Sequence, residues 1–416
     1  MDYRPRVVDA QLTEALRTSG AVLVEGPKAC GKTETSKRVA ASVTYLDTDA
    51  QARAAIDVDP SLVLRGDTPH LLDEWQEFPQ LWNHVRRAVD AAQQPGRFIL
   101  TGSSVPADDV RRHSGAGRFA RLRMRPLSLY EAGHSSGDVS LRALLQGEPS
   151  RAPGVDLPVP RLADLAVAGG WPARHDAPVQ DAAAYVREYV ALTCDVDVPR
   201  VGGPRRDPSR VRRLMMSLAR NLATEAPVAT LSADTAGQDA AIDRTTVSGY
   251  LDVLADLMLV EDQPPWAPHL RSASVLRKSA KRHFTDPSIA LAALGAGPEQ
   301  LLSDLNYFGF VFESLVVRDL RVLAGPLHGE VLHYRDSSGL EVDVIVVLPD
   351  GTWGAFEVKL GAGHVEQAAT SLRKFAATVD QRKSGPPAVL GVITPGGYGY
   401  RREDGVDVVP LGALAP

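Results

Sequence analysis

The sequence is poor in cysteine, lysine and aromatic residues, and it has no long apolar run. Two cysteines in 416 residues, Cys30 and Cys194, make no disulfide framework and no metal-ligand spacing. A reducing, cytoplasmic home is the expectation from that usage. No apolar stretch approaches the ~18 residues of a membrane span. The opening MDYRPRVVDA also lacks the apolar core of a secretion signal, so no membrane partner is expected. An excess of positive charge is missing too. The net charge of −5 excludes a globally basic nucleic-acid coat and leaves only local patches for any DNA contact. Hydrophobic residues at 44% and charged residues at 23% exclude disorder of the whole chain. At roughly 100–200 residues per domain, the length allows two to four domains. Only eight of the 46 basic residues are lysine. Where arginine is the default cation, a lysine at a site suggests a need for a compact ammonium. Lys32 and Lys359 both fall in motifs.

Along the chain, residues 21–25, 43–47, 70–74, 97–102 and 118–124 read as short strands, and 33–41 and 79–93 as helices. That alternation predicts a parallel α/β sheet over 1–133. Residues 134–160, rich in Gly, Ser and Pro, read as a linker. Residues 161–282 read as a mostly helical region. Within it, Val247, Leu251, Leu254 and Leu257 share a helix face ahead of a Pro-Pro break, which suits a helix-turn-helix or winged-helix unit. Residues 283–416 form a second α/β domain, with a helix over 305–324, three meandering strands over 331–360 and another strand over 387–396.

Gly26-Pro27-Lys28-Ala29-Cys30-Gly31-Lys32-Thr33 fits G-x-x-x-x-G-K-[ST] between a strand and a helix. Glycines let backbone N–H groups curl round a phosphate at a helix N-terminus. Lys32 then reaches the β- and γ-phosphates of ATP, and the Thr33 hydroxyl binds Mg²⁺. Asp73 and Glu74, at a strand end about 40 residues on, are the acids for a water-mediated Mg²⁺ contact and for activating the attacking water. Two solvated turn acids are the alternative. Thr101 to Ser104 could sense the γ-phosphate, or form an ordinary turn. Arg111, Arg112 and Arg118 are the candidates for an arginine that offsets transition-state charge.

In the last domain, Glu357 and Lys359 share one strand face while Phe356 and Val358 face a core. Pro349-Asp350-Gly351 suits a three-residue hairpin loop, and that register puts Asp343 opposite Glu357. Carboxylates whose Cβ atoms stand ~4.5–5.5 Å apart repel unless a cation joins them. Mg²⁺ held by Asp343, Glu357 and Glu313, with Lys359 beside it, would suit phosphodiester hydrolysis. The alternative is a Lys–Glu pair on a wet sheet face.

The ordered series GPKACGKT, LLDEWQ, FILTGSS, GAGRFARLRMRPLSLYE, TVSGYLDVLADLMLVEDQPPW, FESLVV, EVDVIV and FEVK resembles one family over nearly the whole length. These are the bacterial and archaeal ATPases that join an AAA-type P-loop domain to a C-terminal domain related to the PD-(D/E)xK nucleases, the AAA plus DUF4143 architecture. The resemblance implies an ASCE/AAA-type parallel sheet, a winged helix around 243–266 and a restriction-endonuclease-like C-terminal domain. It also implies Walker A at Gly26 to Thr33, Walker B at Asp73 and Glu74, and a nuclease-like core at Glu313, Asp343, Glu357 and Lys359. Two positions depart from the family: Lys28 stands where Arg is usual. Glu34 replaces a second Thr, which would put an acid near the phosphates.

These readings define an ATP-binding protein and Mg²⁺-dependent ATPase coupled to a nuclease-like domain that acts on or binds DNA. The alternative is a nucleotide-dependent switch whose nuclease-like domain is inactive and only binds DNA or protein. Arg200, Arg205, Arg206, Arg210, Arg212 and Arg213, and then Arg277, Lys278, Lys281 and Arg282, are the basic patches that would meet phosphates. A homo-oligomer is compatible with the sequence. A small-molecule kinase fits the appended domains least.

Overall fold

The computed structural model describes residues 3–103, 114–200, 206–236, 243–268 and 279–416. Helix α1 (Val8–Thr18) leads into β1 (Ala21–Glu25), α2 (Lys32–Lys37), β2 (Ser42–Tyr45), α3 (Ala50–Val58), β3 (His70–Asp73), α4 (Leu81–Ala92), β4 (Phe98–Gly102) and β5 (Phe119–Arg123). The five strands are parallel in the order β2-β3-β4-β1-β5. Strands covered on both faces carry continuous apolar runs. Thus Val22, Val24, Leu71 and Ile99 pack under α1, while Leu23, Leu72 and Leu100 pack against Leu81, Val85 and Val89 of α4. Because the strands are parallel, the carboxyl ends of β1, β3 and β4 lie side by side at one rim. Open α/β sheets bind their ligands there.

The 134–160 segment is not a linker. It forms β6 (Val139–Ser140), α5 (Leu141–Leu145) and β7 (Ala152–Val155). Leu141, Leu144 and Leu145 are buried in the main core, and Ser140 caps α5 by accepting from Ala143 N–H. Its glycines and prolines make the turns between buried pieces, and composition alone did not separate that from a tether.

Helices α6 (Val159–Ala168), α7 (Val179–Leu192), α8 (Val198–Arg200), α9 (Pro208–Arg220), α10 (Val228–Ala236) and α11 (Arg244–Asp256) follow, then α12 (Pro287–Leu294) and α13 (Pro298–Ser303). A π-helical turn, Thr193–Asp197, joins α7 to α8. After α11 the chain makes antiparallel bridges at Val260–Phe284 and Gln263–Lys281. Helix α12 packs on α6, α7 and α9, so the helical region extends beyond the boundary expected at 283.

Helix α14 (Leu305–Leu323) opens the C-terminal part. It is followed by β8 (Glu330–Arg335), β9 (Glu341–Val347), β10 (Trp353–Val358), α15 (Val365–Thr378), β11 (Val389–Thr394), β12 (Gly397–Arg401), β13 (Asp407–Pro410) and β14 (Leu414–Ala415). Seven strands run in the order β7-β12-β13-β11-β10-β9-β8, and β14 pairs with β6. Residues 134–157 therefore belong with this sheet. One face packs on α14 through Val344, Val346 and Phe356. The other packs on α15 through Val342, Ile345, Trp353 and Ala355. The α14 face shares its core with the helical region, so those two parts have no solvent layer between them.

Candidate functional site

Two lysine-and-carboxylate sites stand in this frame. The first is the loop between β1 and α2. Ala29 and Gly31 take positive φ, 61° and 102°, which turns successive N–H groups inward. Gly26 is required by space, because a Cβ there would lie 2.4 Å from the Met124 carbonyl oxygen. Buried Lys32 donates from Nζ to the carbonyls of Gly26 (3.0 Å) and Pro27 (2.9 Å). Thr33 Oγ1 donates to Asp73 Oδ1 at 2.9 Å, and Thr101 Oγ1 donates to the same oxygen. Ser103 and Gln76 donate to Glu74 Oε2. Glu74 itself sits at φ 56°, a left-handed conformation that a non-glycine residue adopts rarely and that clusters at functional sites.

Asp73 is buried and has no lysine or arginine partner among the described residues. A buried carboxylate satisfied only by hydroxyls leaves a place for a cation. These residues fit Mg²⁺ at Thr33 and Asp73, with the phosphates of ATP against Lys32 and the loop. Glu34 instead pairs with Lys37 at 3.0 Å on the surface of α2.

Arg118 lies at the amino end of β5, whereas the P-loop leaves the carboxyl end of the parallel strand β1. Its guanidinium binds Asp90 of α4 at 2.8 Å. It therefore does not face the phosphate site of its own chain, a distinction that spacing could not make. Arg111, Arg112 and Ser104 lie outside the described residues.

Two residues that sequence reading passed over grip this loop. Arg6, nearly buried, donates to Cys30 O (2.9 Å), to Arg125 O (2.8 Å) and to Glu131 (3.0 Å). Asp197, on the π-helical turn, accepts from Lys28 Nζ at 2.6 Å. A lysine at 28 in an arginine-rich chain was the available signal. A cavity of about 700 Å³ is lined by none of the P-loop residues. It lies between the end of β5 and α14, where Arg125 and Arg321 converge on Glu261. Burial would raise the Glu261 carboxyl, but the two arginines overcome it and hold it well below the usual range.

The second site is in the C-terminal sheet. The β9–β10 register pairs Phe356 with Val344, and one further step sets Glu357 opposite Asp343. On the other side of β9 the pairing with β8 slips between Leu332 and Tyr334, and such a bulge re-aims the side chain beside it. Lys359 Nζ donates to Glu357 (2.6 Å) and Asp343 Oδ2 (3.3 Å), which also accepts from Val358 N–H (2.9 Å). Buried Lys281, which the sequence reading placed in a surface patch, contacts Glu313 at 2.7 Å, Glu341 at 2.8 Å and Asp343 at 3.8 Å.

Burial pushes Glu313 up to about 8 against the pull of Lys281. Burial and the neighbouring Asp343 raise Glu357. Burial would raise Asp343 as well, but Lys281 and Lys359 lower it. Among the described residues, no group of three or more His, Cys, Asp or Glu side chains is arranged to hold a metal ion. The Mg²⁺ site expected at Glu313, Asp343 and Glu357 does not fit this arrangement, because ammonium groups already satisfy those carboxylates.

The basic patches are also largely engaged. Arg210 pairs with Asp207, Arg212 with Asp195 and Arg282 with Asp262, and Arg213 donates to Thr235 O. Arg205, Arg277, Lys278 and the side chain of Arg200 lie outside the described residues.

Comparison with known proteins divides the chain as the fold does. Residues 18–133 match the AAA domain family model, and 159–300 and 308–414 match two domains of unknown function, DUF8612 and DUF4143. Motif, strand order and family model agree on an AAA-type P-loop ATPase fold for the N-terminal domain. Uncharacterized proteins of Mycobacterium tuberculosis and Mycobacterium bovis are each 28% identical to the chain over 408 residues, covering 96% of it and 82% of theirs. Among solved structures, the Walker-type ATPase paby2304 of Pyrococcus abyssi aligns with a TM-score of 0.44 at 11% identity, covering 70% of this chain and 99% of that one. The Orc1 protein of Aeropyrum pernix, solved in complex with DNA, aligns with a TM-score of 0.26 at 15% identity, covering 74% and 95%. No helix among the described residues is long and apolar enough to cross a membrane.

Proposed function

We propose that the chain is a Mg²⁺-dependent ATPase that couples its nucleotide state to the nuclease-like C-terminal domain, with DNA as the partner engaged through the winged-helix region. The observation that carries the ATPase reading is the contact of Thr33 with a buried Asp73 that has no cationic partner among the described residues. Mg²⁺, when bound, would neutralise charge on the phosphates. Lys32 would exchange its two loop carbonyls for phosphate oxygens. Glu74 would accept the proton of the attacking water. Coupling is supported by the Lys28–Asp197 contact, since Lys28 belongs to the phosphate loop and Asp197 to the helical region.

A second reading is a nucleotide-dependent switch whose C-terminal domain binds without cutting. The pairing of Lys281 and Lys359 with the acids favours it. Steady-state ATP hydrolysis with Glu74→Gln tests the first step: binding is expected to survive and turnover to fall ~10²–10⁴-fold. Normal turnover in that variant would remove Glu74 from its role. Plasmid cleavage with Mg²⁺ or Mn²⁺, beside Asp343→Asn and Lys359→Ala, separates the readings. Cleavage lost in both variants would sink the switch. DNA affinity that stayed flat from low to moderate salt would remove phosphate contact altogether.

A further inference from the structure

We infer that Lys281 is the built-in cation of the C-terminal carboxylate cluster: its ammonium stands among Glu313, Glu341 and Asp343 where a divalent ion would sit, and the native site binds none. Glu313 at 2.7 Å and Glu341 at 2.8 Å lie within hydrogen-bonding distance of the ammonium, and Asp343 at 3.8 Å adds a third, longer ion-pair contact. The side chain is only 3% exposed, so it does not swing freely to solvent.

Its backbone is pinned as well. Lys281 and Gln263 exchange N–H···O bonds of 3.0 and 2.9 Å. Gln263 Nε2 in turn donates to Leu332 O on β8 (2.9 Å) and Asp343 O on β9 (3.1 Å). The residue that places Lys281 thus also grips the two strands that frame the cluster. Asp343 and Glu357 are also engaged from the other side, where Lys359 and the Val358 N–H hold Asp343 Oδ2 and Lys359 holds Glu357. Mg²⁺ needs oxygen ligands at ~2.0–2.1 Å in octahedral array. To enter, it would have to expel a buried ammonium from the carboxylates it already joins.

Lys281 lies between the helical region and α14, far in sequence from the acids it joins. The cluster therefore cross-links the bridged segments around Gln263 and Lys281 to the C-terminal sheet. This inference deepens the non-cutting reading of that domain and stands whether or not the P-loop hydrolyses ATP.

Mn²⁺ binding to the nucleotide-free full-length protein, read by electron paramagnetic resonance of the free ion, tests it without reference to activity. The wild-type chain and Asp343→Asn should bind Mn²⁺ alike. Lys281→Met should gain one site per chain, at least tenfold tighter, that adding Asp343→Asn removes. Wild-type Mn²⁺ binding that Asp343→Asn abolishes would overturn the inference. So would a folded Lys281 variant that gains no site. Should Lys281→Met fail to fold, Lys281→Gln takes its place, and the comparison of wild type with Asp343→Asn decides without either.

Discussion

The two sites use the same side chains to opposite ends. At the P-loop, Lys32 rests on neutral carbonyls while Asp73 and Glu74 accept from hydroxyls and an amide. Positive and negative groups are kept apart, so each is free to meet an ion of opposite sign. In the C-terminal sheet every motif acid already touches an ammonium. Separated charges make a site that waits for a ligand. Joined charges make a cross-link, whose desolvation penalty is offset only while all its partners stay in place.

The largest effect should follow from removing the waiting charge. Lys32→Ala is expected to lower nucleotide affinity and turnover by ~10²-fold or more while leaving the melting temperature of the free protein nearly unchanged. Calorimetric ATP titration and thermal unfolding read the two halves of that expectation. A large loss of stability would mean that Lys32 acts as a cross-link after all.

The opposite pattern is expected at Lys281. Lys281→Met leaves buried Glu313 without its ammonium and Asp343 with Lys359 alone, and breaking such a pair costs about 3–5 kcal/mol. Lys281→Met combined with Glu313→Leu should recover much of the loss, because replacing both members of a buried pair is often neutral. Denaturant unfolding of the two single variants and the double variant checks this. Equal destabilisation in the single and double variants would count against a joined pair.

A smaller effect should appear with pH. Glu313 is raised from its ordinary 4.5 to about 8, with burial the main cause. The folded chain then holds a proton that the unfolded chain has released, so this group's contribution is full below about pH 4.5 and is lost as pH rises through about 8. Stability of the wild type relative to Glu313→Gln should fall across that window. A flat difference would place the charge of Glu313 under full control of Lys281.

The P-loop was legible because its chemistry is local: one turn and one helix start carry it, and Asp73 follows from a strand end. The hairpin register was legible for the same reason, since Pro349 to Gly351 set it, with Gly351 at φ 87°. Partners brought by the fold from elsewhere were not. Lys281 is 32 residues from Glu313 and 62 from Asp343, and it read as surface charge. Its only signal in the sequence is that it is one of just eight lysines. The segment 134–160 failed for a related reason. Its leucines are buried by a sheet completed some 260 residues later, and no local pattern announces that. Arg118 shows the converse limit, because strand direction decides which rim a residue reaches and spacing is blind to it.

Lys28–Asp197 lies between the two extremes and should give the smallest stability change. The Lys28 side chain is half exposed and that of Asp197 is 14% exposed. A pair of that kind contributes about 0–1 kcal/mol, so Asp197→Asn should move the unfolding midpoint little. Its effect on nucleotide should be larger than its effect on folding. Lys28 is in the loop that curls round the phosphates, and an ammonium held by Asp197 must leave it before meeting ATP. Releasing Lys28 should tighten ATP binding several-fold, more for ATP than for ADP if the ammonium reaches the γ-phosphate. It should also change proteolytic cleavage of the helical region less when nucleotide is added, because the link between loop and helices is already cut. Unchanged affinity together with unchanged nucleotide-dependent proteolysis would reduce the pair to a surface contact, and the communication between the domains would then have to run through other contacts such as Arg125–Glu261.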